Sequence, residues 1–259
     1  MSISRALISL FFTSASLLTS RVHADLSVEF SSGHGDMGLA VELDGSLFLH
    51  YHFGGGAVLN GVALGAGVDA EYVPSEVFVR VADTARTFPG AVPFLSTGAT
   101  DPVWTLPQGT PGALPFLGIA AVELDALDFA SAGFRLTGFN GPVGGEFALW
   151  QGGFTPTVFF QTNNGINPAQ DLYNITVGAH DHANWSFTKE GIYNLTIEGF
   201  ANPVGGGTQL TDIGTFTFAV GNTTAVPEPS SIVLIAVCGV GLFAARRRLG
   251  FSGNSSIAS

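Results

Sequence analysis

Five of the six histidines in this 259-residue chain stand in H-x-H or H-x-D pairs: His34 with Asp36, His50 with His52, and His180 with His182. Residues at i and i+2 of an extended segment point to the same side, so each pair can offer two ligands to one ion. Neutral imidazole suits zinc, copper, nickel and iron, and carboxylate extends the set toward manganese. A zinc site uses four N or O ligands at about 2.0–2.2 Å. The six residues exceed that need, provided that their three segments meet. The expectation is a transition-metal site, with zinc favoured. Asp181 falls between two same-side histidines and should face away from them. In the blander alternative, the histidines hydrogen-bond at strand ends and only brace them.

A metal hydrolase would also need an open coordination position and a nearby general base, for which Glu71 or Glu76 is the available choice. No H-E-x-x-H and no G-x-S-x-G occurs, and the lone Cys238 lies in an apolar C-terminal stretch. The expected protein is not an enzyme.

Charge points the same way as the histidines. Between Asp25 and Val226 stand Arg80, Arg86, Arg135 and Lys189 against 19 acids, a net charge of −15. That balance disfavours nucleic acid and anionic lipid as partners and attracts cations. With one cysteine no disulfide can form within the chain, so an exported domain must rely on its core or on a bound ion.

The elements that must position these residues read as strands. Leu26–Phe30 alternates, and Gly33-His34-Gly35-Asp36 after it reads as a glycine-flanked turn. In Leu47–Phe53 the odd positions are apolar or aromatic, and His50 and His52 share the other face. Residues 57–76 form a small-residue loop, and Glu76–Val81 is a strand. Residues 89–115 are proline-rich and irregular, with Trp104 expected to plug the core. Phe134–Phe139 and Glu146–Trp150 suggest a hairpin, continued by Val158–Phe160. Asn184 and Trp185 are expected as turn and core residues, and Glu123–Phe129 as one short helical turn. Alternation resumes with Tyr193, Leu195 and Ile197, then Phe216, Phe218 and Val220. Such strands with turn signals between them predict an all-β fold, a single antiparallel β-sandwich of immunoglobulin-like or jelly-roll-like type with long irregular loops, over residues 25–222.

Both ends carry targeting features. Residues 1–24 read as a signal peptide, with Arg5 before an apolar run and Val22-His23-Ala24 as the cleavage site, which would remove the sixth histidine. A linker over 223–230 holds Pro227-Glu228-Pro229. An apolar helix and arginine cluster over 231–248 end in Arg246, Arg247 and Arg248, followed by a tail over 249–259. The apolar run of about 15 residues is shorter than the ~20 of a free-standing spanning helix, and its basic stop fits a cytoplasmic end. Box, helix and arginines in this order resemble the PEP-CTERM sorting signal of Gram-negative bacteria. The resemblance implies an exosortase-type enzyme as partner, transient inner-membrane anchoring through the helix, and delivery to the cell surface or matrix.

The body resembles a second family. Gly33-His34-Gly35-Asp36, Val103-Trp104-Thr105-Leu106-Pro107-Gln108 with Leu117-Gly118, and His180-Asp181-His182-Ala183-Asn184-Trp185-Ser186-Phe187-Thr188 with Gly191-Ile192-Tyr193 are similar to the choice-of-anchor M domain. That family is related to the actinobacterial surface-anchored repeat. The likeness spans roughly residues 26–221. It implies a role in metal acquisition and a metal ABC transporter as a partner. A structural or adhesive role in extracellular polysaccharide is the rival expectation, and haem capture through a histidine is the weaker one.

Overall fold

In the computed structural model, residues 28–109 and 112–223 are described. The leader, the P-E-P box, the apolar helix, the arginine cluster and the tail lie outside the described residues.

Seventeen strands follow in chain order. The first six are β1 (Val28–Val41), β2 (Leu47–Phe53), β3 (Val58–Leu59), β4 (Val62–Ala63), β5 (Ala70–Tyr72) and β6 (Val77–Val81). Then come β7 (Arg86–Thr87), β8 (Val103–Leu106), β9 (Pro115–Ala120), β10 (Phe129–Asn140), β11 (Phe147–Gln151) and β12 (Thr157–Gln161). The last are β13 (Leu172–Ile175), β14 (His180–His182), β15 (Asn184–Phe187), β16 (Gly191–Pro203) and β17 (Leu210–Val220). Among the described residues the only helical elements are three short 3-10 turns.

The strands form two sheets, as an all-β chain of this patterning should. The larger runs β13-β10-β16-β17-β6-β1-β2-β5, with β9–β14 and β3–β4 branching from β1, and the smaller runs β12-β11-β15-β8-β7. The expected all-antiparallel pairing does not hold throughout. Strand β1 pairs in parallel with β6 and β9, and β17 pairs in parallel with β6. Inner faces meet through aromatic side chains. Phe218 of β17 lies 5.4 Å from Trp185 and 5.1 Å from Phe187 of β15, and Phe187 lies 4.9 Å from Tyr193 of β16. All four are fully buried, each contributing roughly 1.5–3 kcal/mol from burial. Trp104 is buried as expected, its Nε1 donating to Asp83 at 3.0 Å.

Two local expectations are corrected. The segment Gly33-His34-Gly35-Asp36 is not a turn but the bend of the long strand β1. Before it, β1 pairs with β6 and β3; from Gly33 onward it pairs with β9, and from Gly35 onward with β2. Gly33 takes φ +83, and a Cβ there would stand 2.3 Å from the Gly56 carbonyl oxygen, so glycine serves close approach rather than chain reversal. The second correction concerns β10 and β11, which do not form a hairpin. Strand β10 pairs with β13 and β16 while β11 pairs with β12 and β15, so the loop between them crosses from one sheet to the other. Ala183 makes a similar crossing, with β14 in the large sheet and β15 in the small one. The Glu123–Phe129 region makes turns as expected, with Phe129 N–H donating to the Asp125 carbonyl at 2.9 Å.

Candidate metal centre

One end of the large sheet gathers every described histidine on one face. Adjacent strands run β5, β2, β1, β9, β14, and their registers align one rung as Glu71–His52–Asp36–Gly118–His182. The next rung reads His50–Gly38–Ala120–His180. His34, two residues before Asp36, completes the patch beside Phe116. Cross-strand partners share a face, as do residues two apart along a strand. The alternate positions Met37, Tyr51 and Ile119 are fully buried on the other face. The expected pairing of His50 with His52 and of His180 with His182 therefore holds.

The five histidines divide into two groups rather than one. In the first, ligand nitrogens of His34, His180 and His182 lie within 4.8 Å of one another. His34 Nε2 and His180 Nε2 are 3.2 Å apart. Asp36 Oδ1 stands 2.9 Å from His180 Nε2 and 3.5 Å from His34 Nε2. His182 stacks on Phe116, centroids 3.6 Å apart and planes 8° apart, which fixes its ring. A Cβ on Gly118 would fall 2.1 Å from Asp36 Oδ1 and 2.6 Å from His180 Nε2. Gly118 thus opens the space in which these groups meet.

Electrostatics at this group favour nitrogen lone pairs. Burial, then the neighbouring His180 and His34, push the His182 imidazole down to about 4, so it is neutral at neutral pH. Its Nδ1 is buried with no hydrogen-bond partner among the described residues. The Leu117 carbonyl accepts from Trp185 Nε1 at 3.1 Å and, with its second lone pair, also draws on the His182 ring. Asp36 Oδ1 is buried too, and the groups facing it are His180 Nε2 at 2.9 Å and His34 Nε2 at 3.5 Å. Burial raises its carboxyl above the usual range, against the opposing pull of His34 and His180. Three ring nitrogens within 4.8 Å of one another, beside a buried carboxylate oxygen, fit a cation among them.

Outer contacts hold β14 in place. Tyr173 donates to Asp181 Oδ2 at 2.6 Å, and Gln151 Nε2 donates to Asp181 Oδ1 at 3.1 Å and to the His182 carbonyl at 2.9 Å. Asp181 therefore faces away from the histidines, as its position in the strand implied. Asn184 is buried and exchanges two hydrogen bonds with Gln108, 2.9 Å from its backbone N–H and 2.8 Å to its Oε1. This ties the W-x-L-P-Q segment to the histidine strand.

The second group comprises His50, His52, Glu71 and Glu123, whose ligand atoms also lie within 4.8 Å of one another. Glu123 Oε1 is 3.2 Å from both His50 Nε2 and His52 Nδ1. His52 Nε2 is 3.9 Å from Asp69 Oδ1. Burial lowers the His52 pKa, but Glu123, Glu71 and Asp69 outweigh it and raise the ring above its ordinary value. Sequence reasoning missed Glu123 and considered Glu71 only as a general base. Glu76 sits apart from both groups, its Oε2 accepting from Val73 N–H at 3.3 Å. Away from the histidines, an apolar cleft of about 590 Å³ opens beside Phe94 and Trp150.

Residues 225–248 match the PEP-CTERM protein-sorting motif, which covers Pro227, Glu228, Pro229 and Arg246, Arg247 and Arg248. That motif belongs to exported, membrane-transiting proteins and implies processing by an exosortase-type enzyme. No curated protein and no solved structure matches the chain.

Proposed function

We propose that this is an exported, surface-anchored and non-catalytic protein that captures or buffers a transition-metal ion, zinc by preference, outside the cell. The observation that carries the reading is the convergence of His34, His180 and His182 beside the buried Oδ1 of Asp36. Three imidazoles with one carboxylate form the N/O set that zinc takes in four-coordinate sites. The strongly acidic body raises the local cation concentration. The likeness of the histidine and W-x-L-P-Q segments to the choice-of-anchor M domain supports a role in metal acquisition, with a metal ABC transporter as recipient. The purified chain, loaded with zinc and dialysed, should retain the ion at this centre, and His180→Ala with His182→Ala should release it. Retention unchanged in that double variant would end the proposal.

A rival reading, a component of the extracellular polysaccharide matrix, draws on the cleft beside Phe94 and Trp150, since aromatic walls suit sugar faces. A chain that binds polysaccharide and whose melting ignores chelator would favour it.

A further inference from the structure

We propose that His50, His52, Glu71 and Glu123 form a second, separate divalent-cation centre, which accepts manganese(II). The two groups share no residue. The proposal rests on the second group's own ligands and does not require the first centre to be filled.

Three separate pieces of chain supply the four side chains: β2 gives the histidines, β5 gives Glu71, and the turn after β9 gives Glu123. Register alone brings Glu71 beside His52. The centre of the arrangement is Glu123 Oε1, approached at 3.2 Å by nitrogens of two different rings. His50 is fully buried, and a Cβ on Gly38 would come within 3.2 Å of its ring, so the imidazole has a fixed seat. Its Nδ1 lies 3.4 Å from the Phe48 carbonyl. An N–H at Nδ1 donating there leaves the Nε2 lone pair aimed at the carboxylate. A metal-bound histidine characteristically gives its other N–H to such a carbonyl, which fixes the tautomer. In that tautomer His50 Nε2 and Glu123 Oε1 face each other as two acceptors, and a cation between them would be held by His50, His52 and both glutamates together.

The ligand types set the ion. Two imidazoles and two carboxylates form a harder set than the three imidazoles of the first group, and carboxylate oxygen shifts preference toward manganese. Asp69, near His52, adds a third negative charge that a dication offsets. Asp36 stands in register beside His52 but turns its Oδ1 to His180 and His34, which keeps the centres distinct.

The test is a titration of the purified full chain with manganese(II) alone, read by the electron paramagnetic resonance signal of the free ion. One equivalent should be taken up. Glu71→Gln with Glu123→Gln should weaken uptake at least tenfold, whereas His180→Ala with His182→Ala should leave it unchanged. The Gln replacements keep side-chain shape, and near-ultraviolet circular dichroism reports whether they fold; His52→Gln provides a second route to the same loss. A free-ion signal undiminished by the native chain overturns the proposal, as does full uptake by the folded glutamine variant. Loss of uptake in the His180/His182 variant would mean one shared centre and would also overturn it.

Discussion

Asp36 Oδ1 lies 2.9 Å from His180 Nε2, although the two residues are 144 positions apart in sequence and a strand separates β1 from β14. Oδ1 is buried, and desolvation raises the carboxyl above its ordinary pKa against the opposing pull of His34 and His180. Such a group costs stability when charged without a counter-ion. Asp36→Asn keeps the shape and removes the charge. The metal-free variant should melt no lower than the native chain, while its zinc affinity falls at least tenfold, since loss of a group that merely supports a ligand already costs about 10–100-fold. Calorimetric melting with a zinc titration reads both, and unchanged affinity would remove Asp36 from the site.

Gly118 is the only kind of residue that the meeting of Asp36 and His180 permits. An added Cβ would stand 2.1 Å from one and 2.6 Å from the other. Gly118→Ala must push the two side chains apart, at a cost of about 1–3 kcal/mol in folding stability. Zinc retention should fall at least tenfold in a protein that still folds. Native retention by a folded Gly118→Ala chain would show that the crowded point is not where the ion sits.

How much of this was open to reading in the chain itself depends on the range of the interaction. The same-side placement of His180 and His182 follows from the two-residue period of a strand and needs no knowledge of neighbours. The burial of Tyr193, Leu195 and Ile197 follows in the same way. Glu123 was illegible because its contact with His50 and His52 depends on the parallel pairing of β9 with β1, which no local pattern encodes. Gly118 sat in a recognised Leu-Gly segment, yet only the rung Asp36–Gly118–His182 explains its lack of a side chain. Gly33 and Gly35 read as a turn because glycine serves both reversal and close approach, and the sequence does not distinguish them. Alternation likewise established β10 and β11 as strands without saying which sheet each would join.

The titration of His182 offers a check that needs no metal. Its folded pKa is about 4 against the ordinary 6.5. Between those values the unfolded chain takes up a proton that the folded ring refuses, so this residue's contribution to stability is whole above 6.5 and is lost as pH falls toward 4. In the metal-free protein, the ring C–H resonances of His182 should hold their neutral positions down to about pH 5. A midpoint near 6.5 would mean that Phe116, His180 and His34 do not surround the ring as described.

Zinc should also act on the whole fold, because its ligands belong to strands of the large sheet. An ion that binds only the folded state at 100 times its dissociation constant adds about 2.7 kcal/mol. For a body of roughly 200 residues, 1 kcal/mol shifts the melting point by about 2–4 °C. Saturating zinc should therefore raise melting by about 5–11 °C, and chelator should reverse the rise. His34 belongs to β1, His180 and His182 to β14, and β9 lies between them, so the ion would clamp the sheet across three strands. His180→Ala with His182→Ala should melt at one temperature with or without zinc. If the histidines only brace strand ends, the native chain will behave as that variant does, with no response to either zinc or chelator.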